Sequence, residues 1–176
     1  MARLRRVLGP RSIQAALSED EQGNRRFYVR AVFALIEAVV EQHKHLLLDL
    51  AEHGAVNISH SVREALSEKG YDVGTNGRVT KRDRFMQLER KLRAVYRTAG
   101  DVFGHSLDDN FRDQGWQSFQ AALDVRDGLT HPKTFEDCHV DDDALETVDQ
   151  GHAWFKDLHN EFVRVAHLHR NREHSW

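Results

Sequence analysis

Hydrophobic residues recur along this chain at helical spacing, and no long stretch alternates apolar and polar residues as a half-exposed strand would. The clearest series lies within residues 85–99, where apolar positions are separated mainly by three or four residues. Its members are Phe85, Leu88, Leu92, Val95, Tyr96 and Ala99. Such spacing places these side chains on one face of a helix. The pattern therefore predicts an all-α protein.

The first third of the chain predicts a short helix followed by a separate long one. Residues 12–21 form a short amphipathic segment, and residues 26–53 carry apolar side chains over a broad surface, which is typical of a central helix. Gly54 is well placed to end the long helix, because glycine readily adopts the left-handed conformation found at helix C-termini.

Residues 61–80 predict a short helix and a turn. The sequence Ser-Val-Arg-Glu at residues 61–64 has the form of a capping box, and Gly70 is expected to stop that helix after about two turns. The pair at residues 76–77, Asn-Gly, favours a tight turn within either a small hairpin or a mobile loop. Thr80 is then expected to cap the helix that carries the 85–99 series.

The C-terminal half predicts two more long helices. Asp108 or Asp109 is expected to cap a helix that contains Trp116. The acidic residues 141–143 favour the start of a last helix that reaches Arg170, because the helix dipole stabilises negative charge at an N-terminus. The predicted fold is therefore an all-α, up-and-down bundle of four main helices with short extra helices.

Length and composition restrict the class of protein. The chain has 176 residues, 40% hydrophobic and 30% charged, which fits one globular domain with a bundle core at about residues 26–170 and a short basic arm and helix at 1–25. No apolar run approaches the roughly 20 residues of a membrane span, and no apolar core of a secretory signal follows the basic start. A single cysteine, Cys138, cannot form an intramolecular disulfide. We expect a cytoplasmic protein.

Twelve histidines suggest a metal site, but their spacing argues against one. His43 and His45 are two residues apart, as are His167 and His169, so each pair points to different faces of a helix. The chain also has no phosphate-binding glycine loop and no paired-cysteine zinc pattern. No metal or other cofactor is therefore expected.

The net charge of −3 argues against a nucleic acid partner, but the charge is unevenly distributed. Residues 78–97 carry eight basic and two acidic side chains. Such a strip either binds phosphates in a salt-dependent manner or forms a solvated helix face. The candidate RNA-binding residues are Arg78, Lys81, Arg82 and Arg84 in this strip and Lys133 beyond it.

The segment Arg-Asp-Gly-Leu-Thr-His-Pro at residues 126–132 carries the candidate chemistry. Arg126 falls within the apolar stripe of the predicted fourth helix, so its guanidinium needs either a salt bridge with Asp124 or Asp127 or a cleft that receives a phosphate. Pro132 disfavours helical angles in the residue before it. His131 is therefore expected on the terminating turn, as a solvent-accessible acid or base.

Arg126, Asp127 and His131 together resemble the arginine, polar residue and histidine signature of HEPN domains. These helical bundles include many metal-independent endoribonucleases of toxin, antiphage and RNA-processing systems. The resemblance implies a homodimer with a composite site, in which His131 acts as general acid or base and Arg126 stabilises the phosphate in the transition state. Asp127 would support these two residues. The implied reaction is attack of a ribose 2′-OH on its own 3′ phosphate.

Two positions depart from the family pattern. Asp127 stands where asparagine is most common, and its charge either orients Arg126 or repels the phosphate. Lys133 stands where members modified by a partner nucleotidyltransferase carry tyrosine, so that toxin and antitoxin pairing is not expected. The alternatives to a ribonuclease are a catalytically inactive HEPN-like module, which dimerises or binds RNA or protein, and an unrelated helical ligand sensor. The sequence identifies no partner protein.

Overall fold

The described chain is mostly helical, as the hydrophobic pattern predicts. The computed structural model describes the backbone of residues 10–173 and the side chains of residues 18–171, so the basic arm predicted at the start lies largely outside the described residues. The helices are α1 (Pro10–Glu52), α2 (His60–Leu66), α3 (Leu88–Phe103), α4 (Gln114–Thr130) and α5 (Asp142–Glu173), and the strands are β1 (Lys69–Val73) and β2 (Val79–Asp83). Short 3-10 turns, Asp108–Phe111 and Glu136–Cys138, precede α4 and α5. Among the described residues, no helix has both the length and the apolar character that crossing a bilayer requires.

Helix α1 is continuous, so the prediction of separate helices at 12–21 and 26–53 is wrong. Gly23 lies between the two predicted segments, and a glycine in a helix costs only about 1 kcal/mol relative to alanine. Tertiary packing of the downstream half stabilises the helix enough to extend it through this position. The predicted end is confirmed, because Gly54 adopts φ +74° two residues after Glu52, the last helical residue.

Helix α2 begins earlier and ends earlier than predicted. Ser59 is the N-cap rather than Ser61, and its hydroxyl accepts a hydrogen bond from the backbone N–H of Val62 at 3.4 Å. The helix ends before Gly70, because Glu68 adopts φ +51° and Gly70 already belongs to β1. The prediction that Ser61 caps this helix is therefore wrong, and Ser59, two residues earlier, is the cap.

Strands β1 and β2 form an antiparallel hairpin, which is one of the two arrangements that the sequence left open. The register pairs Lys69 with Asp83 at one end and Val73 with Val79 at the other. Gly77 adopts φ +73° in the turn, a conformation that favours glycine. The hairpin carries the chain from α2 back to the start of α3.

Helix α3 begins later than predicted, because Thr80 pairs within β2 instead of capping a helix. Phe85 consequently lies outside the helix and is 88% exposed. The remaining members of the apolar series are buried, as predicted: Leu88, Leu92, Val95, Tyr96 and Ala99. The periodicity was therefore a correct guide to the buried face but not to the helix start.

Helix α4 is capped by Asp113, whose carboxylate accepts a hydrogen bond from the Trp116 backbone N–H at 2.8 Å. The predicted caps are wrong, since Asp108 and Asp109 lie in the preceding 3-10 turn. The helix continues to Thr130, and His131 is its C-terminal cap residue.

Helices α4 and α5 pack closely because glycines replace larger side chains at their contact. A Cβ atom at Gly151 would lie 2.7 Å from the Cβ of Ala122, and one at Gly115 would lie 2.3 Å from the indole of Trp154. These contacts pair the start of α4 with a later part of α5, so the two helices are antiparallel. The close contact fixes α4, and with it the motif, against α5.

The order of helix directions differs from the predicted up-and-down bundle. Later residues of α3 contact later residues of α1: Lys91 contacts Glu41, and Tyr96 contacts His43. The two helices therefore run in the same direction. Short loops make successive helices antiparallel, whereas α2 and the hairpin form a connection long enough to return the chain beside α1.

Candidate functional site

Arg126, Asp127 and His131 line one open groove of about 590 Å³ at the C-terminal end of α4, here called the motif groove. Its walls come from α1, from the segment before α3, and from α3 and α4. The other lining residues are Glu37, Met86, Gln87, Leu88, Glu89, Gln120, Leu123 and Asp124. The three motif residues are thus accessible to a ligand from the same side.

The sequence allows either a salt bridge or a ligand-binding cleft for Arg126, and the structure shows both an ion pair and a position in the lining of the motif groove. Its side chain is 23% exposed, and its guanidinium carbon lies 5.4 Å from the ring centroid of Phe33. One terminal nitrogen lies 3.4 Å from a carboxylate oxygen of Glu37, and Nε lies 3.3 Å from Asp127. Asp127 is one of the two predicted partners. Glu37 was not predicted, because it belongs to α1 and is distant in sequence.

Arg126 nevertheless retains an unsatisfied donor. Its Nε is buried and has no hydrogen-bond partner, so the nearby oxygen of Asp127 makes an ionic contact without hydrogen-bond geometry. A buried donor without a partner costs about 1–3 kcal/mol. The charge of Asp127, whose oxygen lies 3.3 Å from Nε, offsets part of this cost.

His131 lies on the turn that ends α4, as Pro132 predicts, with φ −129° and ψ 59°. Its backbone N–H donates to the carbonyl of Asp127 at 2.9 Å, which holds the turn against the helix. The side chain is exposed. Among the described residues its imidazole has no hydrogen-bond partner, so both ring nitrogens are available for hydrogen bonds with a ligand or water.

The motif groove is rich in negative charge. Its carboxylates come from Glu37, Glu89, Asp124 and Asp127, whereas Arg126 is the permanent cation among its lining residues. A phosphate that enters this groove must compete with Glu37 and Asp127 for the guanidinium. The groove of one protomer is therefore a poor polyanion site by itself.

The candidate RNA-binding residues of the basic strip lie on the hairpin, outside the lining of the motif groove. Arg78, Lys81 and Arg82 are exposed, and Arg82 contacts Asp72 of the paired strand at 3.1 Å. The side chain of Arg84 covers Gly70. The hairpin is thus a separate basic surface near the groove.

The rest of the basic strip is divided by the fold. Lys91 is only 14% exposed and forms ion pairs with Glu41 and Glu68, which joins α3 to α1 and to the start of the hairpin. Arg93 and Arg97 are exposed on α3. The strip at residues 78–97 is therefore not one continuous surface.

Lys133, the remaining RNA-binding candidate, is exposed in the turn just after the motif. Hydrogen bonds from the backbone amides of Thr134 and Lys133 hold the pKa of the Asp137 carboxyl below its usual range. These bonds order the segment that follows His131. Lys133 consequently lies close to the motif in sequence but does not line the motif groove.

The histidines that first suggested a metal have separate environments. His43 is buried, where its Nδ1 lies 3.0 Å from the Tyr96 hydroxyl and its Nε2 lies 3.2 Å from Nδ1 of His159. Burial lowers the pKa of His43 to about 4. His45 is exposed. The described part of the chain contains no group of three His, Cys, Asp or Glu side chains arranged to hold a metal ion.

The resemblance to HEPN domains depends on the motif residues and their helical context. Comparison of the chain with models of protein families, with curated protein sequences and with solved structures finds no match. The residues of the motif groove and their geometry are therefore the basis for assigning a function.

Proposed function

We propose that this protein is a metal-independent endoribonuclease of the HEPN type, active as a homodimer, with a role in defence, as a toxin or in RNA turnover. One observation carries the proposal: Arg126, Asp127 and His131 line the same open groove. The groove therefore offers a fixed cation and an accessible acid or base to one ligand.

The proposed reaction is an internal transesterification. The ribose 2′-oxygen attacks the adjacent phosphorus and loses its proton to the imidazole of one His131. The bond from phosphorus to the 5′-oxygen of the next nucleotide breaks, and that oxygen takes a proton from an imidazolium. The products are a 2′,3′-cyclic phosphate and a 5′-hydroxyl. Arg126 stabilises the negative charge on the non-bridging phosphate oxygens.

A homodimer supplies what one protomer lacks. A single imidazole cannot remove one proton and deliver another at the same moment, whereas two copies of His131 can divide these tasks. Two copies of Arg126 could also contact the same phosphate. Because closed dimers are usually symmetric, each protomer would contribute the same residues to a shared site.

The first experiment measures cleavage of mixed RNA by purified protein in excess EDTA. We expect cleavage that falls by about 10²- to 10⁴-fold in His131→Ala and by about 10²- to 10³-fold in Arg126→Ala. The control is His60→Ala, which removes an exposed histidine on α2 that does not line the motif groove. Equal cleavage by all variants would identify a contaminating nuclease and contradict the proposal.

A second experiment tests the shared site. Excess His131→Ala protein, mixed with wild-type protein and allowed to exchange subunits, should suppress wild-type cleavage, because each mixed dimer holds one imidazole. Excess His60→Ala protein should not. Cleavage unaffected by the His131 variant, in mixtures shown by mass spectrometry to exchange, would exclude a composite site.

A catalytically inactive module that dimerises or binds RNA or protein is the second candidate function. The carboxylates of the motif groove favour it, since Glu37 and Asp127 already neutralise much of the charge of Arg126. This alternative predicts a dimer in sedimentation that leaves RNA intact under every buffer condition. Chelator-resistant cleavage that depends on His131 would exclude it.

A further inference from the structure

We infer that a cluster of three arginines between α3 and the start of α4 is a phosphate-binding subsite for single-stranded RNA, distinct from the motif groove. The cluster, here called the arginine pocket, surrounds a cavity of about 140 Å³. Its lining residues are Arg93, Arg97, Asp108, Phe111 and Arg112. The choice of RNA as the ligand rests on the proposed function.

The charge of the arginine pocket is opposite to that of the motif groove. Its lining residues include three arginines and one acidic residue, Asp108. Arg112 is exposed and only loosely paired with Asp109, at 3.9 Å. Among the described residues, Arg93 and Arg97 have no ion-pair partner. Unpaired guanidiniums that converge on a small cavity are suited to bind phosphate oxygens.

Cation–π contacts with two aromatic rings hold the guanidinium of Arg93 in place. Its guanidinium carbon lies 4.5 Å from the ring centroid of Trp116 and 5.5 Å from that of Phe111. Both rings are buried, so they form a rigid base. Stacking occupies the face of a guanidinium and leaves the N–H groups at its edge available for hydrogen bonds. A phosphate would therefore meet a preorganised donor.

The arginine pocket and the motif groove lie along the same pair of helices. Glu89, which lines the groove, precedes Arg93 by one turn of α3 and accepts a hydrogen bond from Gln120 of α4 at 3.0 Å. Ten residues of α4 separate Trp116 from Arg126, which corresponds to about 15 Å along the helix axis. At the stacked spacing of about 3.4 Å per nucleotide, one strand would connect the two sites with about four nucleotides.

The test is the affinity of single-stranded RNA 12 nucleotides long for full-length protein carrying His131→Ala, which prevents cleavage. Adding Arg97→Gln or Arg112→Gln should weaken binding about tenfold and reduce the salt dependence of binding by about 0.7 per lost phosphate contact. The matched control is Arg164→Gln, since Arg164 is paired with Glu161 on α5. Circular dichroism verifies that each variant is folded.

Two further measurements distinguish binding at the arginine pocket from binding at the motif groove. A dinucleotide has a single phosphodiester and cannot occupy both sites, so Arg97→Gln should not change its affinity for the motif groove. Unchanged affinity of the 12-nucleotide RNA in both arginine variants would overturn the inference. So would loss of inorganic phosphate binding without loss of RNA binding. Arginine-dependent RNA binding by a wild-type protein that does not cleave would support the subsite while contradicting only the proposed ribonuclease activity.

Discussion

Replacement of Glu37 by glutamine tests whether the ion pair between Glu37 and Arg126 weakens the binding of phosphate by Arg126. Glu37 lies on α1, and its carboxylate is 3.4 Å from a terminal nitrogen of Arg126. Glutamine keeps the size of the side chain and removes its charge. If Arg126 binds phosphate, the variant should bind and cleave RNA better than the wild-type protein.

The expected gain follows from the distance and the exposure of the pair. At 3.4 Å two unit charges attract by about 1 kcal/mol in the dielectric of water and by about 5 kcal/mol at an effective dielectric constant of 20. The side chain of Glu37 is 50% exposed, so the lower value applies. A gain of about 1 kcal/mol corresponds to about a fivefold increase in affinity.

The assay compares kcat/KM for cleavage of a short RNA in EDTA, and the affinity of the same RNA in the His131→Ala background. We expect both to rise about fivefold in Glu37→Gln. The gain should shrink at high salt, because ions screen exposed charges. Glu146→Gln is the matched control, since Glu146 is exposed on α5 and does not line the groove.

Two results would refute this reasoning. A decrease in kcat/KM would mean that Glu37 orients Arg126 for catalysis, so that its charge is needed. An equal increase in Glu146→Gln would mean that net charge alone controls RNA binding. Only a gain confined to Glu37→Gln agrees with an ion pair that competes with the phosphate.

Three further predictions concern the core and the motif. Burial lowers the pKa of His43 to about 4. As the pH falls, His43 is therefore protonated in the unfolded state before it is protonated in the folded state. The free energy of unfolding should consequently fall by at most about 3 kcal/mol between pH 6.5 and pH 4. Urea denaturation should show a weaker pH dependence in His43→Phe, and an unchanged one would contradict this assignment. Gly151→Ala should lower the melting temperature by the equivalent of about 1–3 kcal/mol, because its Cβ would meet Ala122. Gly23 has open space around it, so Gly23→Ala should stabilise the protein by about 0.5–1 kcal/mol. The same shift in melting temperature for both variants would exclude the packing argument. Asp127→Asn should raise RNA cleavage several-fold by removing a carboxylate beside Arg126, and a loss of cleavage would show that Asp127 supports catalysis by its charge.

Sequence reasoning succeeded where a local rule decides the outcome. The apolar series in α3 predicted its buried face, because helical geometry alone determines which side chains share a face. Pro132 predicted that His131 lies on a terminating turn, because the steric restriction acts on the adjacent residue. Gly54 marked the end of α1 for a similarly local reason. These predictions needed no knowledge of distant residues.

The predictions from sequence were wrong where interactions with distant residues outweigh a local preference. Thr80 resembled a helix cap, but pairing with β1 uses its backbone groups in a hairpin instead. Gly23 resembled a break, but the small cost of one glycine did not interrupt α1. In both cases packing or pairing outside the local segment contributed more free energy than the local preference.

The sequence by itself determined the helical class, the faces that are buried and the position of the motif at the end of a helix. Only the tertiary structure decided that Glu37 pairs with Arg126 and that the carboxylates collect in the motif groove. It also decided that Arg93 and Arg97 of α3 line one cavity with Arg112, which precedes α4. Periodicity and caps depend on residues within about one helical turn of each other. Charge contacts between helices depend on the direction and packing of whole elements, which the return of α3 alongside α1 sets for this protein.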